Sequence, residues 1–119
     1  MSKQTIVISK FQSWILASRP RTLPAAIVPV MVGSALAIYH EIFFPAYSII
    51  ALICSVLIQI GTNFTNDLYD HLKGSDTKER KGPLRVLASG LITVKEMKWG
   101  IFLVFFFAFL LGLYLVYSV

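Results

Sequence analysis

The 119-residue sequence contains a single cysteine, two histidines and few charged residues, and each scarcity excludes a class of protein. Cys54 alone cannot form an intrachain disulfide, which needs a second cysteine, or a thiolate zinc site, which needs further cysteine or histidine ligands. Charged residues make up 14% of the chain, against about 25% in soluble domains. Hydrophobic residues make up 56% and fall in long blocks, which excludes an ordinary soluble domain.

Three of these apolar blocks contain no Asp, Glu, Lys or Arg, and they occupy residues 23–39, 46–64 and 99–119. An α-helix rises 1.5 Å per residue, so about 20 residues cross the hydrocarbon core of a bilayer. The second and third blocks reach this length, and the first is marginal. The sequence therefore predicts an all-α, polytopic transmembrane bundle with three spans and a polar loop at about residues 71–95.

The net charge of +5 reflects an uneven distribution of the 11 lysines and arginines. All of them lie before the first block or between the second and third, and the connection HEIFFPA between the first two blocks has none. Basic residues favour the cytoplasmic side of a membrane. We therefore expect a multi-pass protein of the cell (inner) membrane, with its N-terminus and polar loop cytoplasmic and without a nucleic acid partner.

The segment NFTNDLYDHLKGSD, at residues 63–76, places carboxylates and amides at the end of the second block. If the helix continues past the block, the 100° step per residue puts four of them within an arc of about 100°. These four are Asn63, Asn66, Asp67 and Asp70. Gly74 can end the helix, so that Asp76 approaches the same face from the loop.

Carboxylate and amide oxygens suit Mg²⁺, which keeps several waters and shares its other positions with substrate phosphates. The following loop is basic, and arginine binds phosphate through two parallel hydrogen bonds. The loop's basic residues are Lys73, Lys78, Arg80, Lys81 and Arg85. Together these features predict a lipid diphosphate site. On spacing alone, a solvated acidic helix end before an ordinary basic loop is the simpler alternative.

The third helix has its own start signal before the last apolar block. Thr93 and Glu96 have the three-residue spacing of a capping box, in which each side chain accepts a hydrogen bond from the other's backbone N–H. We therefore predict that this helix begins just after Thr93.

The stretches SRPRTLPAAIVPVMVGSALA and NFTNDLYDHLKGSDTKERKGPLRVLASGLIT resemble, in this order, the N-terminal part of the UbiA superfamily of intramembrane aromatic prenyltransferases. The resemblance covers the chain from about residue 18 onward. It is most specific in ND..D, GSDT and GPLRVLASGLI, and it is nearest to the branch that prenylates 1,4-dihydroxy-2-naphthoate in menaquinone biosynthesis.

The resemblance implies a larger transmembrane helical bundle and a Mg²⁺-dependent transfer of a polyprenyl group from an allylic polyprenyl diphosphate to the naphthoate. It implies catalytic roles for Asn66, Asp67 and Asp70, and metal binding by Asn66, Asp67, Asp70 and Asp76. It implies diphosphate contacts by Asn63, Lys73, Arg80, Lys81 and Arg85. Arg19 and Arg21 match the family's RP segment and are candidate contacts to the aromatic acceptor, with interfacial anchoring as the alternative.

Two features depart from the family pattern. Asp76 follows Asp70 by six positions instead of four, and the sequence ends before the family's second Asp-rich motif. We therefore expect a fragment of the enzyme, completed by a missing C-terminal portion or by self-association. The alternative is a non-catalytic small membrane subunit or gene remnant whose polar face binds a cation or a partner helix.

Overall fold

The computed structural model describes residues 9–73 and 92–118, and every regular element in these ranges is helical. In chain order they are α1 (Lys10–Ser18), a 3-10 turn (Pro20–Thr22), α2 (Pro24–Tyr39), α3 (Pro45–Leu72) and α4 (Val94–Ser118). The all-α prediction is confirmed for this part of the chain.

Two of the helices, α3 and α4, are long and apolar enough to cross a membrane on their own. A third candidate span arises only if Lys10–Thr22 and Pro24–Tyr39 are counted as one broken helix, bent by 54°. The chain therefore has two candidate spans, or three if this bent pair crosses the membrane as one.

The break between α1 and α2 has a local cause. Arg19 ends α1 with φ 50°, in the left-handed region, and it is followed by Pro20. Proline lacks a backbone N–H and disfavours helical geometry at the preceding residue. Pro24 then begins α2 in its first turn, where proline costs no helical hydrogen bond. The chain consequently changes direction over residues 18–23.

The helices α3 and α4 form the main packing interface of the described residues. At Gly61, a Cβ atom would lie 2.7 Å from the Phe105 ring, so only glycine allows the present approach. Farther along, Ala108 is buried, and its carbonyl oxygen accepts a hydrogen bond from the Cys54 Sγ at 3.4 Å. Small side chains at these points therefore set how closely the two helices pack.

The short helix α1 lies across α3 and α4 and is attached to both. The Trp14 ring packs edge-to-face on Phe64, with centroids 5.2 Å apart. It also fills the space above Gly100, where a Cβ atom would lie 2.6 Å from the ring. At the start of α1, the Lys10 Nζ lies 2.9 Å from the Glu96 Oε1. These contacts fix the position of α1 and thus of the turn that follows it.

The start of α4 has the predicted capping box. The backbone N–H of Glu96 donates to the Thr93 Oγ1 at 3.1 Å, and the N–H of Thr93 donates to the Glu96 Oε1 at 2.9 Å. The prediction is confirmed, and Glu96 therefore both caps α4 and pairs with α1.

We predict different effects for alanine at two glycines of the packed helices. Among the described residues, nothing lies within 4 Å of a Cβ atom added at Gly112, whereas one added at Gly61 meets the Phe105 ring. Alanine is favoured over glycine in a helix by about 1 kcal/mol. Gly112→Ala should therefore raise the thermal unfolding temperature in detergent micelles or leave it unchanged, and Gly61→Ala should lower it. Equal shifts in the two variants would contradict the close approach of α3 and α4.

Candidate functional site

The acidic end of α3 divides into a covered and an open half. The covered half, Asn63 and Asp67, is buried, each residue being 4% exposed. The open half consists of Asn66, which is exposed, and Asp70, which is half-buried. Because α3 continues to Leu72, all four side chains project from one helix, as the sequence predicts. Their surroundings nevertheless differ.

Asn63 binds the chain that connects α1 to α2. Its Nδ2 donates to the Ser18 carbonyl oxygen and to the Thr22 Oγ1, both at 2.8 Å. The Thr22 hydroxyl donates in turn to the carbonyl oxygen of Arg19 at 2.8 Å. One amide therefore spans the turn at residues 18–22 from end to end and holds it against α3.

Asp67 is bound to the same turn by charge. The Arg19 Nη2 donates to the Asp67 Oδ1, and the side chains are 32% and 6% exposed respectively. A buried carboxylate is costly unless it is paired and hydrogen-bonded. The arginine therefore compensates for the burial of Asp67, and the pair connects residues that are 48 positions apart in the chain.

The open half offers oxygen ligands to a cation. Asn66 and Asp70 stand one helical turn apart, and in residues 9–73 and 92–118 no hydrogen bond or ion pair engages either side chain. An amide oxygen and a carboxylate fit Mg²⁺, which binds proteins through few ligands and retains water. The same ranges contain no group of three or more His, Cys, Asp or Glu residues that could hold a metal, so the pair supplies only part of the predicted ligand set.

The remaining predicted residues are only partly described. Lys73 caps the end of α3, and its Nζ lies 4.8 Å from the centroid of the Tyr69 ring, beside the open half. Arg21 is exposed in the 3-10 turn. The predictions for Asp76, Lys78, Arg80, Lys81 and Arg85 lie outside the described residues.

Sequence reasoning missed Ser18 and Thr22 as parts of the site. Both bind Asn63, one through a carbonyl oxygen and the other through a hydroxyl. The only signal in the sequence is that small polar residues flank the RPR segment, and such residues commonly hydrogen-bond nearby backbone in turns. Their long-range partner on α3 leaves no trace in the local pattern.

Helices long and apolar enough to span a membrane, one of which ends in a polar, oxygen-rich face, define a polytopic helical membrane protein with a candidate site at the end of a span. Comparison with known families identifies the group within this class. The profile of the UbiA prenyltransferase family matches residues 26–119, and the chain belongs to that family. The resemblance carried by the sequence motifs is thereby confirmed.

Individual relatives agree with this membership. The 1,4-dihydroxy-2-naphthoate octaprenyltransferase of Haemophilus influenzae is 39% identical over 118 residues, which cover 98% of this chain and 38% of that protein. The protein of the same name from Escherichia coli is 43% identical over 109 residues, or 92% of this chain and 35% of that protein.

A more distant relative is the human UbiA prenyltransferase domain-containing protein 1, which is 31% identical over 96 residues, covering 79% of this chain and 28% of that protein. No solved structure matches the chain. The chain thus spans little more than a third of the length of the two bacterial relatives.

We predict that Asn63→Ala loosens the turn at residues 18–22. The change removes two hydrogen bonds and leaves their acceptors partly buried, which costs about 1–3 kcal/mol. Hydrogen–deuterium exchange of the amides at residues 19–23 should accelerate. Gln59→Ala, which truncates an amide one turn earlier on α3, is the matched control and should leave this exchange unchanged. Equal acceleration in both variants would contradict the anchoring role of Asn63.

Proposed function

We propose that this chain takes part in the transfer of a polyprenyl group from an allylic polyprenyl diphosphate to 1,4-dihydroxy-2-naphthoate, a step of menaquinone biosynthesis. The observation that carries the proposal is the open Asn66–Asp70 pair at the end of a membrane helix in a member of the UbiA family. The two bacterial relatives, both 1,4-dihydroxy-2-naphthoate octaprenyltransferases, support the naphthoate acceptor.

The proposal includes Mg²⁺ as the cofactor. Asn66 and Asp70 would hold the ion together with the predicted ligand Asp76, and its charge would stabilise the leaving diphosphate. Among the described residues, Lys73 lies one turn beyond Asp70 and can bind a phosphate oxygen as a point charge. Arg80, Lys81 and Arg85 are proposed as further diphosphate contacts on the basis of the family resemblance.

The membrane helices would supply the dry surroundings that this chemistry needs. When the bond between the allylic carbon and the diphosphate oxygen breaks, the electron pair leaves with the diphosphate, and the carbocation is open to attack by water. The electron-rich naphthoate ring attacks it instead, and the ring carboxylate is lost as carbon dioxide. Apolar side chains along α3 and α4 favour this outcome because they exclude water from the site.

The distribution of basic residues supports an orientation for the site. All lysines and arginines lie before α2, between α3 and α4, or in the first turns of α4. We therefore propose that the acidic end of α3 faces the cytoplasm of a cell with this protein in its inner membrane. A diphosphate made in the cytoplasm would then reach the site directly.

Because the chain spans 35–38% of the two bacterial relatives, we propose that it provides one part of the active site. Further polypeptide, or a second copy of the chain, would provide the rest. A non-catalytic membrane subunit with a cation-binding face is the competing function, and binding of the prenyl diphosphate distinguishes the two.

We predict that Asp70→Asn weakens Mg²⁺-dependent binding of a labelled polyprenyl diphosphate at least about tenfold, since losing an interaction with a charged group costs about 1.5–3 kcal/mol and about 1.4 kcal/mol is tenfold in affinity. Binding is measured on the chain in lipid nanodiscs, with and without Mg²⁺. Glu41→Gln makes the same chemical change in the turn between α2 and α3, and it should bind like the unmodified chain. Undiminished binding by Asp70→Asn would contradict the proposed function.

A further inference from the structure

We propose that Asp67 is a positioning residue that acts through Arg19, in place of the metal-binding role predicted from the sequence. Asp67 holds the Arg19 guanidinium at the edge of the open half, and Asn63 holds the backbone of the same turn. The inference rests on the proposed function in one respect, which is that Asn66 and Asp70 are taken as the metal ligands with which Asp67 is contrasted.

The burial of Asp67 separates it from the open half. Its side chain is 6% exposed, and its Oδ1 accepts a hydrogen bond from Arg19. A bound Mg²⁺ keeps several waters and must admit substrate phosphate, so its protein ligands need free space around their oxygens. Asn66 and Asp70 have that space, whereas Asp67 lies beneath the turn at residues 18–22.

The conformation of Arg19 explains why the turn needs such strong anchors. A φ of 50° in a non-glycine residue is a left-handed conformation that L-residues avoid. Three side-chain hydrogen bonds hold it in place: two from Asn63, to Ser18 and Thr22, and one from Thr22 to the carbonyl oxygen of Arg19. The ion pair with Asp67 then fixes the direction of the Arg19 side chain.

The anchored guanidinium is placed where it can serve the site. Asp67 precedes Asp70 by three residues on α3, and residues at this spacing are neighbours on a helix surface. Arg19 is 32% exposed, and a guanidinium has five N–H groups. With Nη2 directed to Asp67, the other N–H groups have no hydrogen-bond partner within residues 9–73 and 92–118 and can bind an anionic oxygen that enters at the open half. Asp67 thus sets the position and direction of the Arg19 guanidinium beside the proposed metal ligands.

The first test compares metal binding without catalysis. Mn²⁺ replaces Mg²⁺ as a paramagnetic probe, and its binding to the chain in nanodiscs is followed by electron paramagnetic resonance. Asp70→Asn should weaken binding at least about tenfold, as expected for loss of a charged ligand. Asp67→Asn and Arg19→Gln should each stay within about twofold of the unmodified chain. Loss of Mn²⁺ binding in Asp67→Asn equal to that in Asp70→Asn would overturn the inference.

The second test measures the coupling of Asp67 to Arg19 and needs no metal. Amide exchange over residues 10–22 is compared in Asp67→Asn, Arg19→Gln and the double variant. Each single change should accelerate exchange at least about fivefold, and the double variant should be no faster than either, because the same ion pair between Arg19 and Asp67 is lost in all three. If exchange in the double variant were accelerated by the product of the two single accelerations, the inference would be overturned.

Two further variants keep the second test interpretable. Arg21→Gln removes the neighbouring exposed guanidinium and should leave the exchange unchanged. Arg19→Lys keeps the charge but not the planar fork, so it should give intermediate exchange if the ion pair holds the turn. The inference would also be overturned if Arg19→Lys exchanged as fast as Arg19→Gln while Asp67→Asn exchanged at the rate of the unmodified chain. If the unmodified chain fails to bind Mn²⁺, that result contradicts the proposed function and not this inference. The amide-exchange measurement needs no metal, so it tests the inference in either case.

Discussion

The ion pair between Arg19 and Asp67, reinforced by Asn63, is the interaction on which the arrangement of the site depends. It attaches the turn after α1 to the polar end of α3, across 48 positions of sequence. The Trp14 ring, packed on Phe64 and against Gly100, attaches the other side of α1. A short helix is thereby held across two membrane helices, and a strained turn is held over the polar face of α3.

This attachment gives neighbouring polar residues different surroundings. A face with two carboxylates and two amides could act as one undivided metal site if all its oxygens were equally accessible. Covering Asn63 and Asp67 leaves Asn66 and Asp70 to meet solvent and ligands. The buried pair stabilises the turn, and within the described residues no hydrogen bond or ion pair engages the side chains of the accessible pair. The covered and the accessible residues therefore lie on two sides of one face of the same helix.

Much of this arrangement can be predicted from the sequence. Apolar blocks without charges predict the helices, helical periodicity predicts that Asn63 to Asp70 share a face, and the Thr93–Glu96 spacing predicts the capping box. The division of that face could not be predicted, because it depends on a left-handed residue at Arg19 and on contacts between distant segments. The helical pattern records which residues share a side of α3, but not which other segment covers them.

The family and the open half support prenyl transfer, while the chain spans only 35% of its Escherichia coli relative. The most direct test is therefore to produce this chain together with the part of that relative that lies beyond the matched region. Membranes are then supplied with labelled polyprenyl diphosphate, Mg²⁺ and 1,4-dihydroxy-2-naphthoate. The account predicts prenylated product that requires both polypeptides and disappears with Asp70→Asn. Absence of product from the pair, in membranes where the full-length relative is active, would contradict it.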